Sequence, residues 1–311
     1  MSDYEFCRVD REGPLTIVTL NRPEVMNALH PPAHFELNKV FDDFAADPEQ
    51  WVAIVTGAGD RAFSAGNDLK YQASGGKMSS PPGGFAGLTS RFDLNKPLIA
   101  AVNGIAMGGG FEIALACDLI VASEAAVFAL PEPRVGLAAL AGGLHRLPRV
   151  IGSKRALGMI LTGRRVSAKE GLELGFVNDV AAPADLMSAA RKWAKQILEL
   201  SPMSVRASKE AVYKGLDESS LADAIRNQGR YPAVAAMFKS ADFVEGPRAF
   251  AENGRRNGKA SRNSGLKSFE GFVTNLLHRS EMGLYAKPRC RERLSAPARG
   301  RCSSQAGDRH S

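Results

Sequence analysis

The sequence predicts an α/β fold that ends in a helical region. Three observations carry this. Short β-rich runs alternate with helical patterns over the first 183 residues. From residue 184 the pattern is helical alone, with apolar stripes over 184–200, 203–215, 219–239 and 241–252. A glycine-rich stretch, Asn103 to Asp118, joins a buried strand to an apolar helix.

The elements follow in order. Leu15–Leu20 is rich in β-formers and ends at Asn21, a turn former. His34–Ala46 has apolar residues at 35, 37, 40, 41 and 44, one helical face. Val52–Thr56 is a second strand. After it, Asp60–Leu69 reads as a turn through Gly66, with a helix starting near Asp68 as N-cap. Ser74–Gly87 holds five glycines, two prolines and three serines. It has little to pack and is expected to be mobile, as a loop over a binding cleft. Leu98–Val102 is a buried-strand pattern behind Pro97. Leu119–Ala122 and Val127–Leu130 are short strands after the glycine-rich helix. Gly136–Gly143 is small and apolar, suited to an acyl pocket or to close helix packing.

Composition bounds the function. At 44% hydrophobic and 23% charged residues, the 311-residue chain has an ordinary soluble composition. It contains no apolar run of about 18–20 residues, and its first residues lack a signal-peptide core, so a cytoplasmic protein is expected. The four cysteines form no CxxC pair. The net charge of +7 is unevenly placed: residues 253–311 hold thirteen Lys and Arg against four acids, a net of +9. The other 252 residues carry 27 bases and 29 acids, a net of −2, which gives no electrostatic case for nucleic acid.

The chemistry gathers at a few positions. Gly108, Gly109 and Gly110 open a helix whose first turn contains Glu112. A helix start has unpaired N–H groups and the positive end of the peptide dipoles, and glycine allows close approach to them. If the Ala65 and Gly109 N–H groups converge on one carbonyl oxygen, they form an oxyanion hole. Glu112 lies among Phe111, Ile113, Ala114 and Leu115, and an acid in such a helix is more often paired or functional than idle. Glu132 is fixed between Pro131 and Pro133. Two carboxylates beside an oxyanion hole can orient a water and move protons. Other motifs are absent: GxGxxG, GxxxxGK[ST] and HExxH do not occur, and Ser64 is not in a GxSxG elbow. His30 and His34 are interrupted by Pro31 and Pro32, so no zinc site is indicated; His145 and Cys117 read as structural.

Together these segments resemble the enoyl-CoA hydratase/isomerase, or crotonase, superfamily from about Tyr4 to Glu252. The matching motifs are Leu20-Asn-Arg-Pro-Glu-Val-Met-Asn-Ala-Leu29, Ala62-Phe-Ser-Ala-Gly-Asn-Asp-Leu69, Lys96-Pro-Leu-Ile-Ala-Ala-Val-Asn-Gly104, Gly108–Asp118, Phe128-Ala-Leu-Pro-Glu132, Leu161-Thr-Gly-Arg164 and Glu170–Val177. The resemblance implies a core spiral of ββα units over residues 1–183 and a helical trimerisation region over 184–252. It implies an acyl-CoA substrate whose thioester is held at Ala65, Gly66, Asn67, Asp68 and Gly109, with Ala65 and Gly109 as oxyanion donors. In the hydratase reading Glu112 activates the water and Glu132 protonates Cα. Isomerases of the superfamily commonly keep only the second acid, so both acids favour hydration or dehydration. Runners-up are a double-bond isomerase, a carnitinyl-CoA dehydratase-like enzyme, and a non-catalytic RNA-binding homologue. No metal or redox cofactor is implied, and the expected assembly is a homotrimer or homohexamer.

This chain departs from the family pattern at Leu130, where many hydratases carry Gln, and at Ala138–Ala141, where a proline is common; both touch the acyl pocket. The C-terminus departs further. Relatives often end like Glu-Lys-Arg-Ala-Pro-Glu-Trp-Lys-Gly, encodable as GAA AAA CGG GCG CCG GAA TGG AAA GGC. Deleting one A yields Glu-Asn-Gly-Arg-Arg-Asn-Gly-Lys-Ala, the sequence at 252–260. Residues 253–311 are therefore expected to be an out-of-frame, disordered basic tail.

Overall fold

In a computed structural model, the structure describes residues 4–251. The expected tail at 253–311 lies outside the described residues. The chain starts with β1 (Cys7–Glu12), β2 (Leu15–Leu20), α1 (Pro31–Ala46) and β3 (Val52–Gly57). Next come β4 (Ala62–Ser64), α2 (Leu69–Ala73), β5 (Leu98–Val102), β6 (Ile105–Met107) and α3 (Gly109–Ala116). They are followed by β7 (Leu119–Ser123), β8 (Val127–Ala129), α4 (Gly143–Ile151), α5 (Ser153–Thr162), β9 (Val166–Ser167), α6 (Ala168–Leu174) and β10 (Asp179–Ala181). The last elements are helical: α7 (Leu186–Leu198), α8 (Pro202–Leu216), α9 (Leu221–Asn227), α10 (Pro232–Phe238) and α11 (Ala241–Ala251).

From β3 to β8, successive strands alternate between two sheets. The larger has the order β1-β2-β3-β5-β7-β10 and is parallel apart from the β1/β2 pair. The smaller has the order β4-β6-β8-β9, with only β8/β9 antiparallel. Each strand pair β3–β4, β5–β6 and β7–β8 therefore adds one strand to each sheet, which is a spiral of repeated units.

The larger sheet is covered on both faces, which is why its strands read as continuous apolar runs. One face, through Ile17, Ile54, Ile99, Ala101 and Val121, packs on Leu186, Ala190 and Ala194 of α7. The other, through Val18, Val55, Ala100, Val102 and Ala122, joins the main core with Leu37 and Phe41 of α1 and Phe111 of α3. These residues alternate along each strand with period two. The helical region is thus tied to the body at α7. It is tied again at α8, where Lys209 Nζ donates to Asp118 Oδ2 at 2.8 Å and Tyr213 Oη donates to Asp118 Oδ1 at 3.0 Å.

Several expectations need correction. The first helix starts at Pro31, not His34, because Pro31 and Pro32 occupy its first turn, where no N–H is required. The helix expected over 219–239 breaks into α9 and α10: Tyr231 precedes Pro232 and is extended (φ −66°, ψ 134°). The Ser74–Gly87 loop was expected to have little to pack. Its second half is seated instead: Gly83, Ala86 and Gly87 are buried, and Gly83 N–H donates to Asn38 Oδ1 at 3.0 Å. The strands β1, β4, β6, β9 and β10 were not anticipated.

Candidate active site

Three neighbouring strands of the small sheet, β4, β6 and β8, end at the positions singled out for chemistry. The Ala65–Asp68 turn follows β4, Gly108 and Gly109 follow β6, and Glu132 is the third residue after β8. Adjacent strands lie about 4.8 Å apart. The ends of β4 and β6, and of β6 and β8, are therefore each about one strand spacing apart.

The turn after β4 is held from both sides by the segment Met26–Leu29. Ala65 N–H donates to the Met26 carbonyl at 2.9 Å, Leu29 N–H to the Gly66 carbonyl at 2.8 Å, and Asp68 N–H to the Leu29 carbonyl at 2.9 Å. Ser64 Oγ donates to the Asn27 carbonyl at 2.8 Å and accepts Gly66 N–H at 3.1 Å. Gly66 has φ +86°, and a side chain there would strike the Met107 carbonyl oxygen and the Gly109 nitrogen, each under 3 Å from the Cβ position (2.6 and 2.8 Å). The two loops therefore do meet.

The expected donor Ala65 is corrected by this geometry. Its N–H is already committed to Met26, so it cannot point at a ligand. Among the described residues, the backbone N–H groups of Asn67 and Gly109 meet at this junction and donate to no protein acceptor; the same holds for Gly110 and Phe111 in the first turn of α3. Gly110 shows how tightly the helix start packs, because a Cβ on it would overlap the Ser64 carbonyl oxygen.

Sequence reasoning missed the supports of this turn. Arg22 Nη1 donates to the Ala28 carbonyl at 2.6 Å and to Asp68 Oδ2 at 3.0 Å. Asp68 also caps α2 by accepting Tyr71 N–H at 3.1 Å. Burial raises the Asp68 carboxyl, but the Tyr71 N–H and the Arg22 guanidinium outweigh it and hold the group below the usual aspartate value. Asn27 is fully buried, has φ +53°, and donates through Nδ2 to the carbonyls of Ala58 (3.0 Å) and Ala62 (2.8 Å). The available signal was asparagine's tolerance of the left-handed region in a motif otherwise read only by resemblance.

Glu112 is buried in the first turn of α3, and Gly143 N–H donates to its Oε1 at 2.8 Å. Burial is the main cause that pushes its carboxyl up to about 7; the nearby Glu132 charge adds to the rise, while the Gly143 and Ala141 N–H groups and Arg146 oppose it. Glu132 is half-buried and also raised, chiefly by burial. Its Oε2 is buried with no hydrogen-bond partner, and its Oε1 would lie 2.8 Å from a Cβ placed on Gly108. The structure therefore brings Glu112, Glu132 and Gly109 together with Asn67 beside them. Two acids with raised pKa values and two free N–H groups can hold an oxyanion and exchange protons at neutral pH. Among the described residues no group of three or more His, Cys, Asp or Glu side chains is placed to hold a metal.

Comparison with known proteins gives a consistent result. A family model described as enoyl-CoA hydratase/isomerase matches residues 10–259. The carnitinyl-CoA dehydratase of Salmonella typhi is 44% identical over 252 residues, covering 80% of this chain and 96% of that protein. The crystal structure of an enoyl-CoA hydratase from Mycobacterium tuberculosis H37Rv superposes with a TM-score of 0.77 at 36% identity, over 82% of this chain and 99% of the other. That of a carnitinyl-CoA hydratase from Mycobacterium avium gives 0.66 at 37% identity, over 83% and 100%.

Proposed function

The chain belongs to the enoyl-CoA hydratase/isomerase family, and from that premise we propose that it is a hydro-lyase adding water reversibly to a 2-trans-enoyl-CoA thioester. The observation that carries this reading is the pairing of Glu112 and Glu132, both raised by burial, beside the free Asn67 and Gly109 N–H groups.

In this mechanism the thioester oxygen accepts hydrogen bonds from Asn67 N–H and Gly109 N–H. Those bonds strengthen as the carbonyl becomes an enolate, and each such donor is worth about 3–4 kcal/mol at the barrier. Ionised Glu112 takes a proton from water as the oxygen bonds to Cβ. The enolate then takes the Glu132 proton at Cα. Passing the proton from Glu112 to Glu132 restores both acids. A base titrating near 7 suits this task, being ionised often enough yet still a competent proton acceptor.

Coenzyme A enters as part of the substrate, along Ala65, Gly66, Asn67, Asp68 and Gly109, with Ala65 serving only as backbone wall. No metal or redox cofactor takes part in this reading. The helical region of residues 184–252 is assigned to assembly as a homotrimer or homohexamer, supported by exposed Leu216 and Leu221 (68% and 76%). A cytoplasmic location fits the composition, and no helix among the described residues is long and apolar enough to cross a membrane.

Crotonyl-CoA is the first test: loss of absorbance of the conjugated thioester is expected on adding the protein. No turnover of any enoyl-CoA would overturn the proposal. A second reading, dehydration of carnitinyl-CoA, is favoured by the 44% identity to proteins of that name. It predicts growth of the same absorbance from carnitinyl-CoA.

A further inference from the structure

Phe85 rests on the Cα of Gly109. A Cβ built on that glycine would lie 2.6 Å from the ring's Cε1 and Cζ. The ring also meets the His34 imidazole, with centroids 4.3 Å apart. His34 is buried in α1, and its Nδ1 accepts the Ala86 N–H at 3.1 Å. Burial lowers the His34 pKa to about 4, with His30 adding to the effect, so the ring is a neutral acceptor near pH 7.

The turn that presents Phe85 is held against its own preference. Ala86 has φ +55°, a left-handed conformation that costs a residue with a Cβ about 1–2 kcal/mol. Four contacts outweigh it. Phe85 N–H donates to Thr89 Oγ1 at 3.0 Å, and Gly83 N–H donates to Asn38 Oδ1 at 3.0 Å. Gly87 lies so close to Asn38 that no side chain would fit. Arg146 Nη2 donates to the Thr89 carbonyl at 2.8 Å, linking the turn to the helix whose first N–H holds Glu112. A strained residue kept in place by several independent contacts points to use of what it presents. Here that is an aromatic ring against the residue with the free oxyanion donor.

We propose that Phe85 sets the limit on acyl size, and that His34 is its positioning residue through the Ala86 N–H. This rests on the acyl-CoA reading above. A thioester whose oxygen sits on Gly109 N–H has its acyl group beside this ring, so the ring takes space that a longer chain needs.

The test uses binding as well as turnover. Saturated acyl-CoA thioesters of four to twelve carbons, which cannot react, are titrated calorimetrically into wild type, Phe85→Ala, His34→Leu and His34→Asn. Phe85→Ala is expected to improve twelve-carbon over four-carbon affinity by about tenfold. His34→Leu is expected to shift the ratio in the same direction. His34→Asn places Oδ1 where Nδ1 was and is expected to move the ratio back. An unchanged ratio in Phe85→Ala, or a loss in His34→Leu that is equal at every chain length, would overturn the proposal. If the ratios shift as expected while wild type hydrates no enoyl-CoA, the hydratase reading fails and the role of Phe85 stands. If wild type binds no acyl-CoA, both fall.

Discussion

Replacing Glu112 with Gln should make the protein more stable and nearly inactive. The carboxyl is buried and its pKa is raised from 4.5 to about 7. Between those values the folded state binds more protons than the unfolded one, so stability falls as pH rises through that window. Above pH 7 the accumulated penalty is about 3 kcal/mol. Gln carries no charge and removes it. Its carbonyl still accepts Gly143 N–H, which spans 2.8 Å to Oε1 in the wild type. Replacing the second oxygen by NH₂ weakens acceptance elsewhere at the site, a loss of about 1 kcal/mol. The net gain at pH 8 is about 2 kcal/mol, a rise in Tm of roughly 4–8 °C. At pH 4 both forms are neutral and the gain should give way to a loss of about 1 kcal/mol. Thermal unfolding of wild type and Glu112→Gln between pH 4 and 8 measures the slope, and turnover of crotonyl-CoA should fall by about 10²–10⁴. A variant with the wild-type pH slope would refute the burial argument, and one with turnover within about threefold of wild type would refute the role as base.

Two further predictions address the backbone. Asn67→Pro deletes the N–H assigned as the second oxyanion donor and should lower kcat by about 10²–10³; unchanged kcat in a protein with native circular dichroism would remove Asn67 from the site. Gly110→Ala places a methyl on the Ser64 carbonyl oxygen, with the two backbones unable to separate cheaply. A loss of about 2–4 kcal/mol is expected in denaturant unfolding, and a loss under about 0.5 kcal/mol would show that the helix start can shift.

Much of this site was legible before the fold was known, though unevenly. The buried runs at 15–20, 52–56 and 98–102 announce a sheet covered on both faces because side-chain type reports burial directly. The glycine cluster and Glu112 were readable for the same reason, since a carboxylate in an apolar helix contradicts its surroundings. Strands β4 and β6 have three residues each, too few to display any period. The direction of the Ala65 and Asn67 N–H groups was hidden for a different reason. A backbone donor has no residue type to betray it, and its availability depends on a carbonyl at Met26, some forty positions earlier. The packing of Phe85 depends likewise on His34, and no local pattern connects them.

The placement of the chemistry at the ends of β4, β6 and β8 has a consequence for how such a protein can change over time. The two N–H groups lie just beyond the ends of paired strands, so drift in side chains leaves their placement intact. The part that selects the acyl group hangs instead on the 83–92 turn, outside either sheet. Mutation can therefore explore new substrates at that turn without first dismantling the apparatus that stabilises an enolate. A duplicated gene would inherit a working reaction centre and a separately adjustable entrance.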